Sequence, residues 1–180
     1  MNYIILDLEA TCWEKRDQRP NETIEIGALL INENKEIVSE FCQFIQPKVH
    51  PTLSDFCTKL TSIRQEDVEQ AGAFPQVITA FQQWFGYGEE EYLLCSWGKY
   101  DKHQFQRDCD LHGIDKSWTD QHISLKHQYA EIQSLKRPIG MKAALNREGL
   151  SLDGTHHRGI DDARNISKIF LQYYGEWRYL

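Results

Sequence analysis

The chain has little of what would place it in several large classes of protein. No basic leader precedes its first apolar stretch, which Asp7 and Glu9 interrupt, and nothing downstream approaches the roughly 20 consecutive apolar residues of a membrane-spanning helix. The expectation is a soluble chain that is neither exported nor bound to a membrane. Cysteine is scarce: the 5 residues, at 12, 42, 57, 95 and 109, form no CxxC pair. An odd number without a leader favours reduced thiols and a cytoplasmic setting. Repeats, low-complexity stretches and long linkers are missing too. The 180 residues, 41% hydrophobic, therefore read as one domain, able to bury about 70% of its unfolded surface. Cations are the minority, 20 against 27 acids, for a formal charge of -7. That argues against a protein that coats nucleic acid, because such binding rests on many contacts between cations and phosphates. It does not exclude one that grips a few phosphates through bound divalent cations and local lysines.

What is present is a run of strands followed by helices. Tyr3 to Glu9, Thr23 to Ile31 and Ile37 to Ile45 are apolar or alternating, and Asn32 to Lys35 read as a hairpin turn. Ser54 to Leu60, Arg64 to Ala71 and Pro75 to Phe85 have apolar residues at helical spacing, with Thr61-Ser62 as a cap and Pro75 in a first turn. Tyr92 to Trp97 reads as a fourth strand leading through Gly98 into a helix from Asp101 to His112, closed by Gly113. A short strand near Trp118 to Ile123 and helices over Leu125 to Gln133, Met141 to Glu148 and Asp162 to Tyr173 complete the set. The pattern predicts an α/β fold, a mixed sheet covered by helices.

Three acidic signals carry the chemistry. On the first strand Tyr3, Ile5, Asp7 and Glu9 share one face, because side chains alternate. Two carboxylates there repel each other and lose solvation unless a cation lies between them, and hard oxygen ligands suit Mg²⁺. Taken alone, Asp-x-Glu more often marks a strand running out into solvent, because the tripeptide is common and a metal needs further ligands. Asp101 opens a helix, where an acid alone is ordinarily a cap or a partner for the helix dipole. The third signal is Gly154-Thr155-His156-His157-Arg158-Gly159-Ile160-Asp161-Asp162. His156 with Asp161 and His157 with Asp162 have the same spacing, so the motif alone leaves two registers. Helical periodicity separates them. Positions i+4, i+7, i+8 and i+11 from Asp162 are Ile166, Ile169, Phe170 and Tyr173, whereas from Asp161 they are Asn165, Lys168, Ile169 and Gln172. Asp162 is thus expected to face the core and Asp161 to face mostly water.

Together these motifs resemble the DEDDh family of 3′-to-5′ exonucleases, which includes RNase T, oligoribonuclease and the proofreading subunit of bacterial DNA polymerase III. The similarity is greatest to the Eri-type, or 3′ histone-mRNA exonuclease-like, branch. It is carried by Asp7-Leu8-Glu9-Ala10-Thr11-Cys12, Leu60 to Val68, Ser96-Trp97-Gly98-Lys99-Tyr100-Asp101 and His157 to Asp162, which extend over nearly the whole chain. The resemblance implies a ribonuclease H-like fold with a mixed five-stranded sheet flanked by helices. It implies two Mg²⁺ ions, replaceable by Mn²⁺, held by Asp7, Glu9, Asp101 and Asp162, with Asp7 shared and Asp101 acting through water. It makes His157 the general base, and the register that turns Asp162 inward leads to the expectation that His156 is directed differently. The implied partner is the 3′ end of a nucleic acid, with single-stranded RNA favoured over DNA only by branch, and the product is a nucleoside 5′-monophosphate.

Substrate grip is assigned to Ala10, Thr11 and Trp97, placed to line a pocket for the terminal nucleotide, with aromatic stacking contributing about 1–3 kcal/mol per base. Trp13 could serve similarly, or anchor a loop. Lys15, Arg16, Arg19, Lys136 and Arg137 are candidate guides for phosphates or plain solvated charges. Two rivals come from other classes. A non-cutting module on the same fold would be free to lose a ligand, yet all five catalytic positions are intact. A zinc protein could draw on 7 His and 5 Cys, but no pair has the usual spacing.

Overall fold

The computed structural model describes residues 1–15 and 19–179. Its strands are β1 (Asn2–Ala10), β2 (Thr23–Ile31), β3 (Ile37–Gln46), β4 (Gly72–Ala73), β5 (Tyr92–Ser96) and β6 (His122–Ser124). They form one mixed sheet in the order β4-β3-β2-β1-β5-β6. β1 runs antiparallel to β2 and parallel to β5, so it lies mid-sheet. All nine residues of β2 are buried, as expected of a strand covered on both faces. The sheet thus has six strands rather than the expected five. The extra one, β4, has only two residues, too few to leave a periodic signal, and it exists because Gly72 and Ala73 lie beside Ile45 and Gln46.

Alternation along β1 divides the core. Ile4, Leu6 and Leu8 pack with Phe74, Phe81 and Phe105 of α3 (Phe74–Phe85) and α4 (Tyr100–His112). Tyr3 and Ile5 pack on the other face with Ile166, Ile169 and Phe170 of α7 (Gly159–Gln172), beside α5 (Leu125–Ile132) and α6 (Met141–Glu148). Each strand residue's choice of face follows from the two-residue period of the pleat. Asp7 and Glu9 are therefore carried onto the α7 face.

Two local expectations need correction. Thr61 and Ser62 do not start a helix but end α1 (Asp55–Thr61), where Ser62 adopts φ 60° and donates its N–H to Thr58. The cap of α1 is Ser54, whose Oγ accepts from Cys57 N at 3.0 Å. The next helix, α2 (Gln65–Glu69), begins with Arg64 and Asp67 bonded to each other. Trp118 to Ile123 is not one strand. Ser117–Thr119 form a 3-10 turn that buries Trp118 against Phe105, and β6 starts only at His122. Apolar residues alone do not distinguish a tight turn from a short strand. No helix among the described residues is long and apolar enough to cross a membrane.

Candidate active site

The site is assembled where the end of β1 meets the start of α7. These elements approach closely because two glycines face each other: a Cβ on Gly27 would lie 2.0 Å from Ile160 N, and one on Gly159 would lie 3.0 Å from the Asp7 carbonyl. Gly27 is the cross-strand partner of Asp7. No side chain fits there, so the first turn of α7 rests on the backbone of β1 and β2. Asp162, in that turn, is thereby brought to the two β1 acids. Periodicity predicted its inward face, and it is buried with Ile166, Ile169 and Phe170. The helix starts at Gly159, three residues before the expected Asp162.

Asp7, Glu9 and Asp162 each present a carboxylate oxygen, and these atoms lie within 4.8 Å of one another. Asp101 is buried at the start of α4 and accepts from Leu8 N at 3.2 Å. It therefore grips the backbone between the two β1 acids without joining that set. All four border a cleft of about 470 Å³ whose other walls include Trp97, Met141, His156 and His157. Burial, then the charges of Asp101, Glu9 and Asp162, push the Asp7 carboxyl well above the usual range. Burial and the facing Glu25 push Glu9 up to about 8, and burial raises Asp101 to about 6 despite its hydrogen bonds. Asp7 and Glu9 accept no hydrogen bond among the described residues. The half-buried Asp7 and buried Glu9, which repel each other and lack donors, form with the buried Asp162 a set that a hard divalent cation fits: oxygen ligands, excess negative charge and a route in from the cleft.

The two histidines are not separated as expected. Their rings stack at 4.0 Å, and His156 Nδ1 lies 3.0 Å from both Asp162 oxygens. His156 is thus directed at the acid and not away from it. The sequence reading followed the helix face but could not see the loop, where His157 takes φ 67° and donates its own N–H to Asp162 Oδ2 at 3.0 Å. That left-handed residue reverses the chain so that consecutive side chains fall on one side. The His157 ring nitrogens make no hydrogen bond among the described residues, and burial with the neighbouring His156 lowers its pKa below the ordinary imidazole value.

One group of residues had no counterpart in the sequence reading. Glu25, wholly buried opposite Glu9, accepts from Arg158 Nε at 3.2 Å, Arg158 Nη2 at 3.0 Å and Gly159 N at 3.0 Å. It ties the loop bearing His157 to β2. A lone glutamate and a glycine in the otherwise apolar run Thr23 to Ile31 were the available signal.

Other expected contacts divide. Trp97 walls the cleft, its Nε1 donating to Ile139 O at 3.1 Å. Ala10 and Thr11 are buried and do not line it, and Thr11 Oγ1 instead accepts from Glu22 N at 2.9 Å. Lys15 and Arg19 line a neighbouring pocket, where Arg19 covers Trp13 at 4.2 Å. Arg16 falls outside the described residues, and Lys136 and Arg137 are exposed, away from the cleft lining.

Comparison with known proteins agrees with this geometry. The model of the RNase T exonuclease family matches residues 4–170. ERI1 exoribonuclease 2 of Xenopus laevis is 32% identical over 192 residues, which span 92% of this chain and 27% of that protein. The human 3′-5′ exoribonuclease 1 is 32% identical over 181 residues, spanning 93% and 51%. The chain thus spans between about a quarter and a half of the length of these curated relatives. Among solved structures, the nuclease domain of 3′hExo, a DEDDh family member bound to rAMP, superposes with a TM-score of 0.91 at 29% identity, over 99% of this chain and 96% of that one. A shared fold, a family match over most of the chain and the convergence of these acids lead to one conclusion: the chain belongs to the RNase T-type exonuclease family, in its DEDDh class.

Proposed function

We propose that the chain hydrolyses phosphodiester bonds from the 3′ end of single-stranded RNA, releasing nucleoside 5′-monophosphates. The observation that carries this reading is the convergence of Asp7, Glu9 and Asp162 in an open cleft beside an imidazole without a hydrogen-bond partner among the described residues. RNA is preferred to DNA because the relatives named above are exoribonucleases and the neighbouring structure holds rAMP.

In this reading Asp7, Glu9 and Asp162, with Asp101 beside them in the cleft, would hold the divalent cations. Mg²⁺ is the proposed ion, with Mn²⁺ able to replace it. Two such cations, when bound, neutralise the phosphate and stabilise the leaving 3′-oxygen. The chain's own groups do the rest. Trp97 provides an apolar wall on which the terminal base rests. His157 takes the proton of the attacking water, which it can do because burial keeps its imidazole neutral at physiological pH. His156, already committed to Asp162, orients that acid and is not the base. Ala10 and Thr11 support the nucleotide pocket from behind, by fixing the end of β1 against Glu22.

The test is incubation of 5′-labelled RNA and DNA oligonucleotides of one sequence with the protein and Mg²⁺. The expected result is a ladder shortened from the 3′ end, faster on RNA. A ladder on DNA alone would move the assignment to a deoxyribonuclease. Binding without shortening of either would make the chain a non-cutting module on the same fold.

A further inference from the structure

The formal charge of the chain is -7, yet one groove on its surface is basic. It has a volume of about 560 Å³, within the roughly 300–1,000 Å³ of ordinary ligand sites, and is lined by Lys99, Lys102 and His103 around α4, His122 of β6 and Arg178. Among the described residues, Glu131 is the one acid in its wall. Arg178 pairs with Glu131, and Lys102 lies 3.7 Å from the exposed Asp120. Lys99 is exposed and has no ion pair among the described residues. The positive field reaches inward. His122, bonded to Ser96 Oγ at 2.9 Å, has its pKa pushed down to about 4 by burial together with Lys102, His103 and Lys99.

This groove adjoins the carboxylate cleft. Trp97, in the cleft wall, is followed two residues later by Lys99 of the groove. The Trp97 carbonyl also accepts from Lys126 N at 2.7 Å and Ser124 Oγ at 3.4 Å, which joins β5 to the start of α5 at the boundary between the two hollows. Lys126 and Lys142 stand in the wall of the carboxylate cleft beside its four acids, so a polyanion seated only there meets mixed charge. One that also lies across the groove meets an opposite charge along its backbone.

We propose that the groove carries the phosphodiester backbone of the substrate strand on the 5′ side of the nucleotide held at the acids. The proposal rests on the exonuclease reading above, since it takes the groove's occupant to be the rest of the same strand. Contacts of this kind recognise phosphate and not base, so the groove confers grip on length without preference for sequence.

The experiment compares a twelve-nucleotide oligouridylate with the dinucleotide UpU, which is too short to reach from the acids along the groove. The variant is Lys99→Glu/Lys102→Glu; the control, equal in charge, is Lys35→Glu/Lys48→Glu, on exposed positions toward the opposite edge of the sheet. In the groove variant the preference in kcat/KM for the twelve-mer over UpU falls at least tenfold. Its KM for the twelve-mer also becomes less sensitive to salt, by a slope of about 0.7 for each phosphate that the groove no longer neutralises. The control changes the preference less than twofold. An equal loss in both variants would mean net charge alone acts, and no loss in the groove variant would take the groove off the substrate's path; either overturns the proposal.

Anisotropy of a fluorescein-labelled twelve-mer in Ca²⁺ separates this failure from failure of the exonuclease reading. Binding weakened only in the groove variant, by a chain that cuts neither oligonucleotide, removes the exonuclease and keeps the groove. Cutting of both by a groove variant indistinguishable from the parent removes the groove and keeps the exonuclease. A poly-glutamate peptide that displaces the labelled strand as well as unlabelled twelve-mer does would assign the groove to acidic protein and overturn the proposal.

Discussion

Two sets of acids, buried or half-buried, stand around the β1–β2 strand pair, and the protein treats them oppositely. Glu22, Glu25 and Asp108 are fully provided for. Glu22 accepts from the backbone N–H groups of Lys48, Val49 and His50 at 2.6–3.0 Å. Glu25 has Arg158 and Gly159, and Asp108 has Thr23 N and Gln104 Nε2, both at 3.1 Å. Asp7 and Glu9 have no donor among the described residues, although Glu9 stands directly across the strand pair from Glu25. The difference teaches how to tell a structural acid from a functional one. A buried carboxylate whose donors tie distant segments together holds the fold, whereas Asp7 and Glu9, left without donors, suit a ligand that supplies the missing positive charge. Asp101 and Asp162, which accept from Leu8 N and from His156 Nδ1 and His157 N, combine both duties.

The largest effect expected from breaking this contrast is on turnover. Asp7→Asn removes a charge from the unsatisfied set without changing volume, so hydrolysis of labelled RNA should fall by on the order of 10³-fold or more, matching the several kcal/mol that bound cations supply. Circular dichroism should show an unchanged fold, and metal-free Tm should hold or rise as carboxylate repulsion is relieved. Near-normal hydrolysis would reassign the metal ligands.

His157→Ala should lower single-turnover hydrolysis at saturating Mg²⁺ by about 10²- to 10⁴-fold. The parent enzyme should gain activity as pH rises and His157 loses its proton. The midpoint of that rise should lie below about 6.5, since burial lowers this imidazole's pKa. His156→Ala, which removes an outer partner of Asp162, should cost only about tenfold. If His156→Ala proves the more damaging of the two, the base has been misassigned.

The satisfied set should break in the other currency, stability. Glu25→Ala leaves Arg158 and Gly159 N without their acceptor and should destabilise by about 3 kcal/mol, the lower end for splitting a buried pair, because Arg158 is partly solvated. For a chain of this length that corresponds to a fall in Tm of roughly 6–12 °C. Thermal denaturation checks it, and a Tm within a degree of the parent would remove Glu25 from the role of clamp.

The smallest effect is the pH dependence of the metal-free protein. Glu9 and Asp101 have folded pKa values raised to about 8 and about 6, so the folded chain retains protons that the unfolded chain releases. Their contribution to stability is fully present below the unfolded values near 4 and is lost as pH rises through 6 to 8. Metal-free Tm should therefore drop by several degrees between pH 5 and pH 8, and millimolar Mg²⁺ should restore most of it at pH 8. A flat profile would mean that the acids are relieved by something other than a cation.

Much of the site was legible before the fold was known, for reasons that can be named. The two-residue period of a strand places Asp7 beside Glu9 whatever surrounds them. The helical period through Ile166, Ile169 and Phe170 turns Asp162 inward whatever it meets. Other features left no periodic trace. The two residues of β4, the 3-10 turn at Trp118 and the left-handed Ser62, which closes α1 instead of opening α2, each depend on a neighbour distant in sequence or on local backbone angles.

The sequence by itself determined which residue types could do the chemistry, on which face of each element they stand, and the family to which their order belongs. These are local facts, set by repeat distances within one strand or helix. Only the tertiary structure decided that Gly27 and Gly159 let α7 approach β1, that Glu25 anchors the loop of His157, and that both imidazoles crowd onto Asp162. Those outcomes depend on contacts between residues more than a hundred positions apart and on one left-handed residue in a loop, and neither is specified by any spacing along the chain.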